Sequence, residues 1–262
     1  MTPSIAARAL HQCRLFFIAL QFFTRVPVPR WVGFEPHWLH HASRYFPLVG
    51  VLVGAACAAV YAGAAALWPA PLAAILATVA GIYLTGAFHE DGFADMCDGF
   101  GGGQTPARVL EIMKDSRIGA YGAIGIMLML GLKCAALATM APVTACAALL
   151  LAHPLSRLAA ASLIWRLDYA RADGKAKPMA QHMTGAELCI AIACVLVPAL
   201  LLGAGDALPW RAIGIACVSA AAAALWLGAK CVRRIGGYTG DCLGAVQQVA
   251  EVAIYLSVLA CA

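Results

Sequence analysis

Apolar runs of roughly 18–25 residues recur along this chain, and a run of that length can cross the hydrocarbon core of a bilayer. They fall at about 47–67, 70–90, 119–140, 142–165, 186–205, 209–229 and 242–261, with a shorter run at about 9–24. In lipid the backbone polar groups of such a run must be satisfied internally, which favours helices. The expected fold is all-α, a polytopic helical membrane bundle of about 7–8 transmembrane helices, with residues 1–262 forming a single integral membrane domain. Composition agrees: 63% of residues are hydrophobic and 12% charged, against about 45–50% and about 25% in soluble domains.

The connections between runs alternate in character. The stretches at 68–71, near Ala141 and Pro142, and around Asp206 are short and nearly free of Lys and Arg. The others carry Arg25, Arg30 and Arg44; Arg108, Lys114 and Arg117; Arg166, Arg171, Lys175 and Lys177; and Lys230, Arg233 and Arg234. Short loops rich in Lys and Arg face the cytoplasm, so these four segments are expected there, with the C-terminus outside. The net charge of +5 is read as this bias, with no nucleic acid implied. The run at 9–24 is marginal for spanning and is either an eighth span or an interfacial helix. The N-terminal stretch has two arginines, Arg8 and Arg14, and then an apolar run, as in a signal peptide, but no small-residue cleavage site follows, so it is expected in the mature protein. The eleven cysteines form no CxxC pair. Cys57, Cys134, Cys146, Cys189, Cys194 and Cys217 are expected as small buried hydrophobes.

Against this apolar background, "GAFHEDGFADMCDGFGGG" (86–103) places Glu90, Asp91, Asp95 and Asp98 within nine residues. On a helix Asp91, Asp95 and Asp98 share one face, and like charges stacked this way repel unless a cation lies between them. Hard oxygen donors suit Mg²⁺ or Mn²⁺, which keep waters and take substrate phosphates. The plainer alternative is a solvated acidic loop. Charge is scarce in this chain, and carboxylates at a membrane boundary are costly unless used. The following stretch, "RVLEIMKDSRIGAYG" (108–122), offers Arg108, Lys114 and Arg117 as phosphate partners, arginine through its bidentate fork. Polar residues also interrupt the spans: Lys133, His153, Arg157 and Glu251. Lys133 and Arg157 either hold an anionic substrate or join structural pairs, such as Lys133 with Glu251; His153 reads as a core histidine. Asp241, in "GGYTGDCLGA", is either a helix N-cap or a further site carboxylate. Together these features suit transfer of a phosphate-linked group at a cytoplasm-facing metal site.

Over nearly its full length the chain resembles the cobalamin synthase family, the adenosylcobinamide-GDP ribazoletransferases. The likeness rests on "FFTRVPVP" (22–29), "RYFPLVG" (44–50), "HEDGFADMCDGFGGG" (89–103), "RVLEIMKDSRIGAYG" (108–122), Lys133, Ser156, Arg157 and "GGYTGDCLGA" (236–245). The resemblance implies a Mg²⁺-dependent enzyme of the bacterial inner membrane, with its site facing the cytoplasm. It would join adenosylcobinamide-GDP to the 3′-hydroxyl of α-ribazole or α-ribazole 5′-phosphate and release GMP. Carried over, Glu90, Asp91, Asp95 and Asp98 would bind metal, with Asp91, Asp95 and Asp98 also catalytic; which one is the base stays open. Arg25, Lys114, Asp115, Arg117, Lys133, Arg157 and Asp241 would bind substrate, Lys114 and Arg117 at the diphosphate. The bilayer is a partner, and homo-oligomer formation is left open. Two other readings stand beside this one. The acidic motif partly resembles that of CDP-alcohol phosphotransferases, but Ala94 comes one residue early and Asp95 stands in place of Arg. An ion-coupled transporter would suit Lys133 and Glu251, although its site would be expected at the midplane.

Overall fold

The computed structural model describes residues 4–35, 38–170 and 182–261; Arg171, Lys175 and Lys177 of the third basic segment lie outside the described residues. The chain is helical: α1 (Ile5–Phe23), α2 (Trp38–Ala42), α3 (Phe46–Ala65), α4 (Ala70–Thr85), α5 (Phe88–Gly102), α6 (Pro106–Ile112), α7 (Ala120–Thr139), α8 (Pro142–Arg166), α9 (Gly185–Ala204), α10 (Trp210–Ile235) and α11 (Gly240–Leu259). Among the described residues the only β pairing is an isolated bridge between Tyr169 and Tyr238.

Six helical units are long and apolar enough to cross a membrane: Trp38–Ala65, α7, α8, α9, α10 and α11. Helix α8 is the most enclosed of them, packed by α3, α9, α10 and α11. Prolines or glycines start several spans, as at Pro142 in the first turn of α8, where a missing N–H leaves no bond unmade. Helix α9 opens with a capping box, Thr184 and Glu187 bonding each other's backbone N–H. Glu187 also receives His41 and Arg44, tying α9 to the start of the Trp38–Ala65 unit. Helix α1 is not among the spanning candidates. Its first half carries Arg8, His11 and Arg14, and its buried side chains, Leu15, Ile18, Ala19, Leu20 and Phe23, lie in the second half. Its composition suits an interfacial helix better than an eighth span.

The run at 70–90 departs from the sequence expectation. Its helix stops at Thr85, and Gly86 takes the left-handed conformation (φ 68°) that favours glycine. The Ala87 N–H closes back on the Ile82 carbonyl at 3.0 Å, the pattern of a Schellman stop. Ala87 is itself left-handed (φ 59°), a conformation that crowds a Cβ. Two such residues in succession redirect the chain, and α5 leaves at 91° to α4. The pair counts as one broken span at most, giving up to seven.

The cysteines are all free thiols. Cys57 is buried as expected, and Cys134, Cys146 and Cys194 are half-buried, but Cys189 and Cys217 are exposed on helix surfaces. In a membrane bundle such a surface meets lipid, where a small apolar side chain is equally at ease.

Candidate active site

Four contacts fix the acidic helix α5. At its start, Arg25 braces the bend: its N–H bonds the Leu84 carbonyl at 2.9 Å, and a Cβ at Gly86 would lie 3.0 Å from its Nε. In its middle, α5 runs against the first turns of α11. The approach is so close that a Cβ at Gly92 would sit 2.9 Å from the Asp241 Cα. Further along, the Asp98 carboxylate accepts the N–H groups of Gly119 (2.7 Å) and Gly122 (2.8 Å). At its end, the Arg234 guanidinium donates to the carbonyls of Phe100 (3.0 Å) and Gly103 (2.7 Å), where a helix has carbonyls to satisfy.

The carboxylates divide by environment. Asp91, Asp95 and Asp98 all lie on α5 at the spacing that shares a face. Asp91 is exposed and Asp95 half-buried. Asp98 is buried and serves as the acceptor for the start of α7, whose N-cap, Gly119, has no side chain to do so. Glu90 and Asp91 occupy the first turn of α5, where the helix dipole favours negative charge. The Glu90 Oε1 accepts from the Gln248 amide at 2.9 Å, while its Oε2 is buried with no hydrogen-bond partner. The N-cap reading of Asp241 is corrected: Thr239 caps α11, accepting from the Cys242 N–H, and Asp241 sits in the first turn, beside α5.

Beneath Glu90 lies a small cavity of about 20 Å³, also lined by Lys133, Arg157, Gln248 and Glu251. Glu251 is its hub. It pairs with Lys133 at 2.9 Å and accepts from the Gln247 amide at 2.6 Å and the Tyr255 hydroxyl at 2.9 Å. Of the two readings of Lys133, the structure shows the ion pair with Glu251. Arg157 is buried and donates to the His153 carbonyl at 3.0 Å, with its Nε unpartnered. His153 is a buried core residue beside Arg157 and Glu251. Lys133 and Arg157 therefore line the polar core.

The basic loop is exposed. The Arg117 backbone N–H and its guanidinium together make three hydrogen bonds to the Asp115 carboxylate, at 3.1, 3.1 and 2.7 Å. The guanidinium holds the Asp115 carboxyl well below the usual range, at about 2. Lys114 is exposed, and Arg108 pairs with Glu111 at 2.8 Å.

Among the described residues no three His, Cys, Asp or Glu side chains stand ready-grouped around a metal position. The donor chemistry nonetheless fits a hard cation. Asp91 and Asp95 bring carboxylates from α5, and Asp241 brings one from the turn packed on it. A cation that keeps waters and takes phosphate oxygens needs only one or two protein carboxylates. Asp98 accepts from the start of α7 and Glu90 from Gln248, while Asp241 accepts from the Thr239 hydroxyl at 3.3 Å. Sequence reasoning passed over Gln247 and Gln248, which connect the core to Ser156, Glu251 and Glu90. Their signal was a pair of amides inside an apolar span, "GAVQQVAEVAIYL".

A family model described as cobalamin-5-phosphate synthase matches residues 15–260. The chain belongs to that family. Among its curated relatives is an adenosylcobinamide-GDP ribazoletransferase from Leptothrix cholodnii, 49% identical, with 97% of this chain and 98% of the relative covered. One of the same name from Shewanella frigidimarina is 46% identical, with 96% of each chain covered. A third, from Vibrio cholerae, is 42% identical over 98% of this chain and 97% of the relative. No solved structure matches.

Proposed function

We propose that this chain is an adenosylcobinamide-GDP ribazoletransferase, joining adenosylcobinamide-GDP to the ribose hydroxyl of α-ribazole or its 5′-phosphate and releasing GMP. The observation that carries this reading is the meeting of α5, bearing Asp91 and Asp95, with the first turn of α11 at Asp241. Relatives covering the whole chain share the activity in their names. The carboxylates sit on a helix that ends a bent pair rather than at mid-span, which disfavours a transporter.

In this account Asp91, Asp95 and Asp241 would hold Mg²⁺. When bound, the ion would neutralise the diphosphate and act as a Lewis acid. Lys114 and Arg117 bind the outer phosphates; the fork that Arg117 presents to Asp115 is the one a phosphate would receive. A carboxylate of α5 takes the proton of the attacking hydroxyl. That oxygen bonds to the phosphorus next to cobinamide, the bond to the bridging oxygen breaks, and GMP leaves with it. The site is assigned to the cytoplasmic face of the inner membrane. Positive-inside orientation supports this, with Arg234 of the last basic connection bound to the end of α5.

The experiment supplies the purified protein with adenosylcobinamide-GDP, α-ribazole and Mg²⁺ and follows GMP by chromatography. Wild-type protein is expected to release GMP only with α-ribazole present. Asp91→Asn is expected to lower the rate by about 10²–10³-fold, the scale of losing one electrostatic contact at the reacting centre, with the fold kept. Wild-type protein that releases no GMP, or that instead turns over a CDP-linked alcohol donor, would overturn the reading.

A further inference from the structure

The C-terminal turns of α8 and α10 enclose a cleft of 650 Å³, within the range of about 300–1,000 Å³ typical of ligand sites. Its floor is made of small and apolar groups, with Ala224 and Gly228 on α10 and Leu163 on α8. Arg166 and Arg233 stand at its polar end, and no carboxylate among the described residues lines it. A second hollow of 290 Å³, between α8, α9 and α10, shares Ser162, Ala221 and Ala224 with it. The apolar floor thus continues from the arginines along α8 towards α9. Trp165, Leu225 and Trp226 are exposed on the same two helices, as expected of a surface that meets lipid.

Positive-inside bias places the two arginines at the cytoplasmic face, but among the described residues no contact accounts for their position at this cleft. Of the three cations at the end of α10, Lys230 lies over the Phe100 and Trp226 rings at 5.8 and 5.5 Å. Arg234 binds the end of α5. Arg233 does neither, and among the described residues neither it nor Arg166 has a hydrogen-bond or ion-pair partner. Two guanidiniums with no partner among the described residues, at the mouth of an apolar cleft, are complementary to a molecule with an anionic head and a long apolar body.

We propose that this cleft binds one anionic phospholipid, its phosphate between Arg166 and Arg233 and an acyl chain along Ala224 and Gly228. Basic pockets between membrane helices select anionic headgroups in this way. A soluble phosphate would satisfy the arginines but leave the floor empty, and zwitterionic phosphatidylcholine would fill the floor but bring its own cation against the arginines. The site is separate from the acidic helix and does not depend on the proposed reaction.

The test uses the whole protein in neutral detergent, with lipid retention read by native mass spectrometry and the unfolding midpoint. The probes are phosphatidylglycerol, phosphatidylcholine and free glycerol phosphate. Phosphatidylglycerol is expected to bind about thirtyfold more tightly than phosphatidylcholine, from two arginines near an anionic head, and free glycerol phosphate is expected to give no shift. The double variant Arg166→Ala, Arg233→Ala should lose the headgroup preference, and the corresponding Lys pair should keep most of it. A Cβ at Gly228 would meet only ordinary contacts, the nearest at 3.6 Å. Gly228→Leu should therefore fill the cleft and weaken both lipids without changing their ratio. If the alanine variant does not fold, the wild-type and Gly228→Leu comparisons still decide. Equal binding of the two lipids, a preference that survives loss of both arginines, a shift by free glycerol phosphate alone, or a cleft occupied by a second copy of the chain would each overturn the proposal.

Discussion

Two groups of charge lie one above the other in this molecule, and they are built on opposite plans. In the core, Glu251 meets Lys133, Gln247 and Tyr255, so its charge is answered from within the bundle. On α5, Asp91 and Asp95 share a helical face, with Asp91 exposed, and among the described residues no preformed metal cage gathers them. The charge of Glu251 is answered without a ligand, although Arg157 Nε beside it stays unpartnered; the acidic face is the one proposed to take a metal. Glu90 stands between them, one oxygen held by Gln248 and the other buried without a partner. The difference separates a frame from a reacting surface, although both are made of the same side chains.

Breaking the frame should cost the most stability. Glu251→Ala leaves the Lys133 ammonium buried without its partner, and such losses cost about 3–5 kcal/mol. The unfolding midpoint should fall accordingly. Replacing both partners by apolar residues of similar volume (Lys133→Met with Glu251→Leu) should recover much of the loss. A Glu251→Ala midpoint equal to wild type would mean that the pair does not frame the site.

Displacing the reacting surface should leave the fold but not the activity. The Cβ of Gly92→Ala would lie 2.9 Å from the Asp241 Cα, so α5 and α11 must part. A shift of that kind in a reacting site costs about 10²-fold, measured as GMP release at an unchanged oligomeric size in detergent. A smaller effect is expected at Asp98, which belongs to the frame although it lies on the acidic face. Asp98→Asn keeps the volume but turns one acceptor into a donor facing α7. The expected cost is about 1–2 kcal/mol of stability, with Mg²⁺ dependence of GMP release unchanged.

Much of the frame was legible in the sequence. Apolar length alone located six of the seven runs as single helical units, because a bilayer imposes that length on any helix that crosses it. Helical spacing put Asp91, Asp95 and Asp98 on one face, and the scarcity of charge singled out Lys133 and Glu251, whose pairing was one of two readings. The bend at 86–87 was harder to read. Gly86 carried the signal of a helix stop, but the apolar run continued past it, and nothing marked Ala87 for a left-handed conformation that alanine rarely adopts. The bonds from the Gly119 and Gly122 N–H groups to Asp98, and from Gln248 to Glu90, join residues far apart in the chain. No local pattern encodes such partners; tertiary packing chooses them. The division of the four carboxylates was therefore beyond reach until α5 had been set against α7 and α11.

The most direct test of that division is metal binding to the two groups of charge. Mn²⁺, in place of Mg²⁺, can be titrated into the protein with substrate present and its bound fraction followed by electron paramagnetic resonance. Asp91→Asn and Asp95→Asn should abolish tight Mn²⁺ binding, whereas Glu251→Gln, in protein that remains folded, should retain it. Tight binding that persists in both aspartate variants, or is lost only in Glu251→Gln, would place the metal in the core and contradict the account.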